Sequence, residues 1–187
     1  MNWSRRRVLA AGGRLAGACA VGLLAGAAAR AARSAERPGS RRIVLVNLHT
    51  PDSLDIEFCR GGVYPPDALA AIQALLRDYR TGEQHAIDPA LLEYLYDVAK
   101  AAGVDPVFSV ISGYRSARTN QMLHERSSGV STRSLHMEGR AIDVRLARVD
   151  CADLAEKALG MERGGVGYYR QSDFVHLDTG RFRTWRG

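Results

Sequence analysis

The 187-residue chain is long enough for one domain and too short for two of ordinary size. Its formal charge of +6 divides unevenly: residues 1–37 carry seven arginines and one glutamate, whereas residues 38–187 carry 19 basic and 19 acidic side chains. A neutral body lacks the electrostatic footprint of a nucleic-acid partner, and 46% hydrophobic with 25% charged residues is a globular rather than a disordered composition.

At the N-terminus, Ser4, Arg5 and Arg6 precede Val8 and Leu9, and Leu15–Ala29 is uncharged between Arg14 and Arg30. That run falls short of the about 20 apolar residues a membrane-spanning helix needs. It is rich in Ala and Gly, Ala27-Ala28-Ala29 offers small residues for cleavage, and the arginine string resembles the twin-arginine export motif. The expected organisation is a signal over residues 1–33, a linker over 34–40 and one domain over 41–187. Twin-arginine machinery would deliver that domain to the periplasm, with no membrane span in the mature form. Cys59 and Cys151 remain in it, either as one disulfide or as two buried thiols.

Arg41–His49 alternates around Ile43, Leu45 and their neighbours, and Leu54–Phe58 follows the Thr50-Pro51-Asp52 turn, which predicts a hairpin. Leu69, Ile72, Leu76 and Tyr79 fall on one helical stripe after Pro65-Pro66-Asp67. Leu91, Leu92, Leu95, Val98 and Ala99 fall on another after Asp88-Pro89, closed by Gly103. Val107–Ile111 is a β-rich run, residues 117–126 suit a short helix, Ser127–Ser134 a loop and Ala141–Leu146 a strand. Asp150 caps a helix that Gly160 stops after Leu159, and Val166–Tyr169 and Phe174–Thr179 form a last strand pair. No regular βαβ alternation is present, so the pattern predicts an α+β fold.

Two strands place chemistry on one side of the sheet. Ala141, Asp143 and Arg145 share a face opposite the apolar Ile142, Val144 and Leu146, and Phe174, His176 and Asp178 share one opposite Val175 and Leu177. His136 lies in the loop seven residues before Asp143. Two imidazoles and one carboxylate are the protein ligands of a catalytic zinc ion, which keeps a fourth position for water. His49, His85 and His124 read as ordinary surface or hydrogen-bonded histidines.

The wording around these residues is more specific. Ser134-Leu135-His136-Met137-Glu138-Gly139-Arg140-Ala141-Ile142-Asp143, and His176-Leu177-Asp178 after Gly165-Val166-Gly167-Tyr168-Tyr169, resemble the S-x-H-x-x-G-x-A-x-D and H-x-D signatures of zinc peptidases that act on D-amino-acid-containing cell-wall peptides. That group includes the D-Ala-D-Ala dipeptidases and shares its fold with lysostaphin-type enzymes and the hedgehog signalling domain. Ser112-Gly113-Tyr114-Arg115-Ser116 is similar to the family's substrate-facing arginine segment. The resemblance runs from Arg41 to Trp185 and is strongest to the exported murein endopeptidase K branch.

It implies an α+β domain whose small antiparallel sheet, flanked by helices, carries a Zn2+ ion held by His136, Asp143 and His176. Arg115 becomes a catalytic clamp on a substrate carboxylate or carbonyl, Ser134 a loop-orienting or substrate-binding residue, and peptidoglycan the substrate. The family's acidic base, three positions before the last histidine, falls on Asp173. Strand parity turns Asp173 away from His176, so it serves only if the Gln171-Ser172-Asp173 turn swings it back. Asp173 is the preferred base; Asp178, on the His176 face, is its rival and has a second reading as a partner that orients His176. The implied activity is hydrolysis of peptide cross-links. Its alternatives are a D,D-carboxypeptidase or dipeptidase that trims stem peptides, and a non-catalytic zinc-containing cell-wall-binding module. Three protein ligands favour an enzyme, because a closed structural site takes a fourth.

Overall fold

The structure is a computed structural model and describes residues 39–127 and 130–187. The expected export signal and all but two residues of the expected linker lie outside the described residues. In chain order the elements are β1 (Ser40–Asn47), β2 (Ser53–Arg60), α1 (Pro66–Leu75), α2 (Pro89–Ala101), β3 (Val107–Ser112), α3 (Ala117–Arg126), a 3-10 turn (Leu135–Glu138), β4 (Ala141–Leu146), α4 (Cys151–Leu159), β5 (Gly165–Tyr169), β6 (Phe174–Asp178) and β7 (Arg183–Arg186). None of the helices among the described residues is long and apolar enough to cross a membrane.

The α+β class expected from the sequence holds, but the sheet is neither small nor wholly antiparallel. Seven strands run in the order β2-β1-β3-β4-β6-β5-β7, with β1–β3 and β5–β7 parallel. The first parallel pair arises because α1 and α2 lie between β2 and β3 and form the crossover a parallel neighbour requires. β7 escapes sequence reading because Arg-Thr-Trp-Arg has no apolar alternation; its side chains find their partners in tertiary contacts.

One face of the sheet is buried. Ile43, Leu45, Phe108, Val110, Ile142, Val144, Val175 and Leu177 pack with Leu91, Leu95 and Val98 of α2 and with Leu154 and Ala158 of α4, all at 1% exposure or less. The two helices are tied by the Tyr94 hydroxyl, which donates to the Ala158 carbonyl at 3.0 Å. Burying this apolar face is the main favourable term in the fold, and it leaves the opposite face of β4, β6 and β5 for polar residues. Cys59 and Cys151 are both buried and free, which resolves the open pairing in favour of separate thiols. Burial, with Asp173 nearby, pushes the Cys151 thiol up to about 11, so it is protonated and inert at neutral pH.

The expected stripe through Tyr79 ends early, at Leu75. There the Asn47 amide donates to the Leu75 carbonyl at 3.1 Å, and the Tyr114 N–H takes the Leu76 carbonyl at 2.8 Å. Tertiary donors thus satisfy carbonyls that further helix would have used. Just beyond, buried Asp78 accepts from the Ser116 N–H (3.0 Å) and hydroxyl (2.7 Å) and from the Arg80 N–H (3.0 Å). Burial opposes its charge, but these donors and Thr119 outweigh it and bring Asp78 from 3.8 down to about 2. A lowered carboxyl stabilises the fold fully above its unfolded value, and that contribution fades as pH falls through the folded one. Asp78→Asn is therefore expected to destabilise the protein by about 2 kcal/mol at pH 7. The gap to wild type should shrink between about pH 4 and pH 2 in urea unfolding; a gap that stays constant with pH would show that the charge is not what holds this segment.

Candidate metal centre

β4 and β6 are antiparallel neighbours in a register that sets Asp143 directly beside His176. Both side chains leave the sheet on the face opposite the core, as their parity requires. The third group arrives on the 3-10 turn. Ser134 begins that turn, its hydroxyl accepting from the His136 N–H at 3.4 Å, and Gly139 ends it in the left-handed region at φ 65°. Only glycine fits there, since a Cβ would collide with the Ala86 carbonyl, while the Gly139 carbonyl accepts from the Asp88 N–H at 3.0 Å. The turn is thereby clamped against the start of α2 and presents a buried His136 to the β4–β6 pair.

His136 Nε2 lies 3.2 Å from His176 Nδ1 and 3.3 Å from Asp143 Oδ1, and His176 Nδ1 lies 2.9 Å from the same oxygen. Tetrahedral donors bonded to zinc at roughly 2.0–2.2 Å stand about 3.3–3.6 Å apart. The three atoms are thus spaced within a few tenths of an ångström of what one cation needs, and all three residues are under 9% exposed. Outside partners aim the rings. His136 Nδ1 donates to the Gly113 carbonyl at 2.7 Å, and His176 Nε2 donates to Asp178 at 3.0 Å, so that Nε2 of the first and Nδ1 of the second face the centre.

The electrostatics agree. Burial and then the neighbouring Arg115 guanidinium push His136 down to about 4, leaving it neutral. Burial alone would raise Asp143, but His136 and Arg115 hold it well below the carboxylate range. His176 is raised, because its hydrogen bonds to Asp143 and Asp178 outweigh burial. Arg115 donates through Nη2 to the second Asp143 oxygen and through Nε to the Ser112 hydroxyl at 2.8 Å.

Above the centre is an open cleft of about 490 Å³. One wall is formed by Ser127, Val130, Ser131, Arg133 and Ser134; the other is aromatic, with Tyr169, Phe174 and Trp185. Trp185 sits opposite Gly167 in the β5–β7 register, and no side chain could replace that hydrogen without striking the indole. The indole N–H donates to the Tyr169 hydroxyl at 3.0 Å, and its ring centre is 5.1 Å from that of His176. Neither Trp185 nor Arg183 was among the residues expected from sequence. Their signal is Gly165-x-Gly167, which clears one face of β5, with Arg183-x-Trp185 placing two large side chains on the matching face of β7.

The two carboxylates expected as alternative bases are placed differently. Asp178 is fully buried behind His176, and its oxygens are used by His176, by Arg183 at 2.7 and 3.0 Å, and by the N–H groups of Gly165 (3.0 Å) and Gly180 (2.8 Å). Asp173 does not reach the cleft. Its backbone is held in the left-handed region at φ 51°, its side chain is 68% exposed, and Arg145 pairs with it at 3.1 Å. The swing its role required is opposed by that Arg145 clamp, which also grips the Asp173 carbonyl. Asp143 is the one carboxylate among the described residues lining the cleft.

Two imidazoles and a carboxylate at the floor of an open cleft are a donor set of metal-dependent hydrolases, and comparison with known proteins places the chain among the peptidases. It belongs to the family described as peptidoglycan L,D-endopeptidase MepK, whose sequence model matches residues 35–185. It is 40% identical to peptidoglycan L,D-endopeptidase MepK of Escherichia coli K12 over 182 residues, 97% of either chain. The Shigella flexneri protein of that name gives the same figures. A probable peptidoglycan L,D-endopeptidase MepK of Haemophilus influenzae is 39% identical over 151 residues, 80% of this chain and 81% of that one. No solved structure matches the chain.

Proposed function

We propose that this peptidase is a zinc-dependent murein endopeptidase that hydrolyses peptide cross-links of peptidoglycan outside the cytoplasmic membrane. The observation that carries the proposal is the convergence of His136 Nε2, Asp143 Oδ1 and His176 Nδ1 at near-tetrahedral spacing, with each ring aimed by a partner behind it. The relatives' name supplies the substrate class and an L,D bond as the one to test.

His136, Asp143 and His176 would hold the ion. A bound zinc ion supplies Lewis acidity, which activates water near neutral pH and polarises a carbonyl. Arg115 is fixed by Ser112 and Asp143 and keeps further N–H donors, which would meet the oxygen on which negative charge develops. Ser134 holds the turn that delivers His136. Asp178 keeps His176 in the tautomer that frees Nδ1, and Arg183 keeps Asp178 in place. In this reading Asp178 is a positioning residue and Asp173 carries no step.

Asp178→Asn is accordingly expected to cost about 10- to 100-fold in zinc affinity or activity, while Asp173→Asn stays within a few-fold of wild type. Zinc titration alongside kcat decides it. A loss of about 10²-fold in kcat by Asp173→Asn with zinc retained would put the base on the 171–173 turn.

Residues 1–33 are proposed as a twin-arginine signal, on the Arg5-Arg6 pair ahead of a weakly apolar run. An Arg5→Lys, Arg6→Lys variant is expected to remain in the cytoplasm on fractionation; an unchanged periplasmic yield contradicts that route. The enzymatic proposal is tested by digesting purified sacculi with and without chelator and weighing the products by mass spectrometry. Cross-linked dimers should fall to monomers only without chelator. Loss of terminal residues with cross-links intact would instead mean a carboxypeptidase, and no change at all a binding module.

A further inference from the structure

Three arginines line the cleft, and two of them are committed. Arg183 is forked onto Asp178, and Arg115 is held by Asp143 and Ser112. The third, Arg133, has no side-chain hydrogen bond or ion pair among the described residues. Its segment is nevertheless fixed. The Arg133 N–H donates to the Ser131 hydroxyl at 3.1 Å, the Asn120 amide of α3 donates to the Ser131 carbonyl at 3.0 Å, and Ser134 begins the 3-10 turn.

The opposite wall offers Tyr169, Phe174 and Trp185 and no charge. Arg115 is taken up by Asp143 and Arg183 by Asp178, so among the described residues Arg133 is the cleft's one arginine whose whole guanidinium is left for a ligand, above the metal centre rather than in it. A guanidinium presents a planar pair of donors matched to a carboxylate. We propose that Arg133 forms a carboxylate-binding subsite that makes the enzyme select peptides bearing a free carboxylate near the scissile bond over the same peptides bearing a carboxamide. The subsite rests on the proposed endopeptidase reading for its substrate and on the loop geometry for its chemistry.

The test uses the purified zinc-loaded protein and a series of synthetic cross-linked stem peptides in which each carboxylate in turn is converted to the carboxamide. For one member of the series, wild type should show a loss in kcat/KM of at least about 10-fold, as expected for a charge-assisted hydrogen bond. Arg133→Gln should bring that ratio close to one, Arg133→Lys should keep part of it, and Arg133→Glu should invert it. Binding of the same series to wild type and Arg133→Gln is measured by calorimetry on protein stripped of metal, so the subsite is tested even if no peptide is cleaved. The proposal is overturned if wild type ignores every amidation, or if Arg133→Gln weakens all peptides equally and keeps their ratios. Cleavage failure in wild type with the binding ratios intact would count against the endopeptidase reading alone.

Discussion

His136→Ala and His176→Ala are each expected to remove the cation and to slow cross-link cleavage by more than the about 10²- to 10³-fold that follows loss of a single oxyanion donor. Each change takes one of three ligands. It also leaves the buried Asp143 carboxylate with fewer partners, since both imidazoles lie within 3.3 Å of it. The apolar face of the sheet is untouched, so the variants should fold, and circular dichroism alongside release of soluble muropeptides separates lost chemistry from lost structure. Wild-type release by either variant would remove that histidine from the site.

Arg115→Ala should come next in size. Its guanidinium is the group beside the centre with donors left to spare, and removing it takes away both a hold on the developing charge and the partner of Asp143. A fall of about 10²- to 10³-fold in kcat with KM little changed is expected. Arg115→Lys should recover little of it, because a lysine ammonium cannot serve Ser112, Asp143 and substrate at once as the planar fork does. A rise in KM with kcat intact would instead make Arg115 a clamp on a substrate carboxylate.

Much of this site is legible in the sequence because strand parity is a strong constraint. Once Ile142, Val144, Val175 and Leu177 are assigned to the core, Asp143 and His176 must emerge on the other face, and the structure pairs them directly. Parity also placed Asp173 on the wrong side, and the Arg145 clamp shows why the turn does not correct it. What parity cannot reach is strand order. β7 crosses beyond β5 to bring Arg183 and Trp185 over Gly165 and Gly167, a contact between segments that no local pattern links. The parallel β1–β3 pair was hidden likewise, because its register depends on how the α1–α2 crossover packs. The depth of Asp178 was hidden too: its sequence position shows the His176 face, while its burial comes from Arg183 and the backbone of Gly165 and Gly180.

The central claim is that His136, Asp143 and His176 together hold one zinc ion. Zinc analysis with X-ray absorption at the zinc edge, on protein purified without added metal, tests it most directly. The account predicts close to one zinc per chain, bound by two imidazole nitrogens and a carboxylate oxygen at about 2.0–2.2 Å, and loss of that signal in the His136→Ala, His176→Ala double variant. Wild-type protein without zinc after metal reconstitution, or a double variant that retains the same signal, would contradict it.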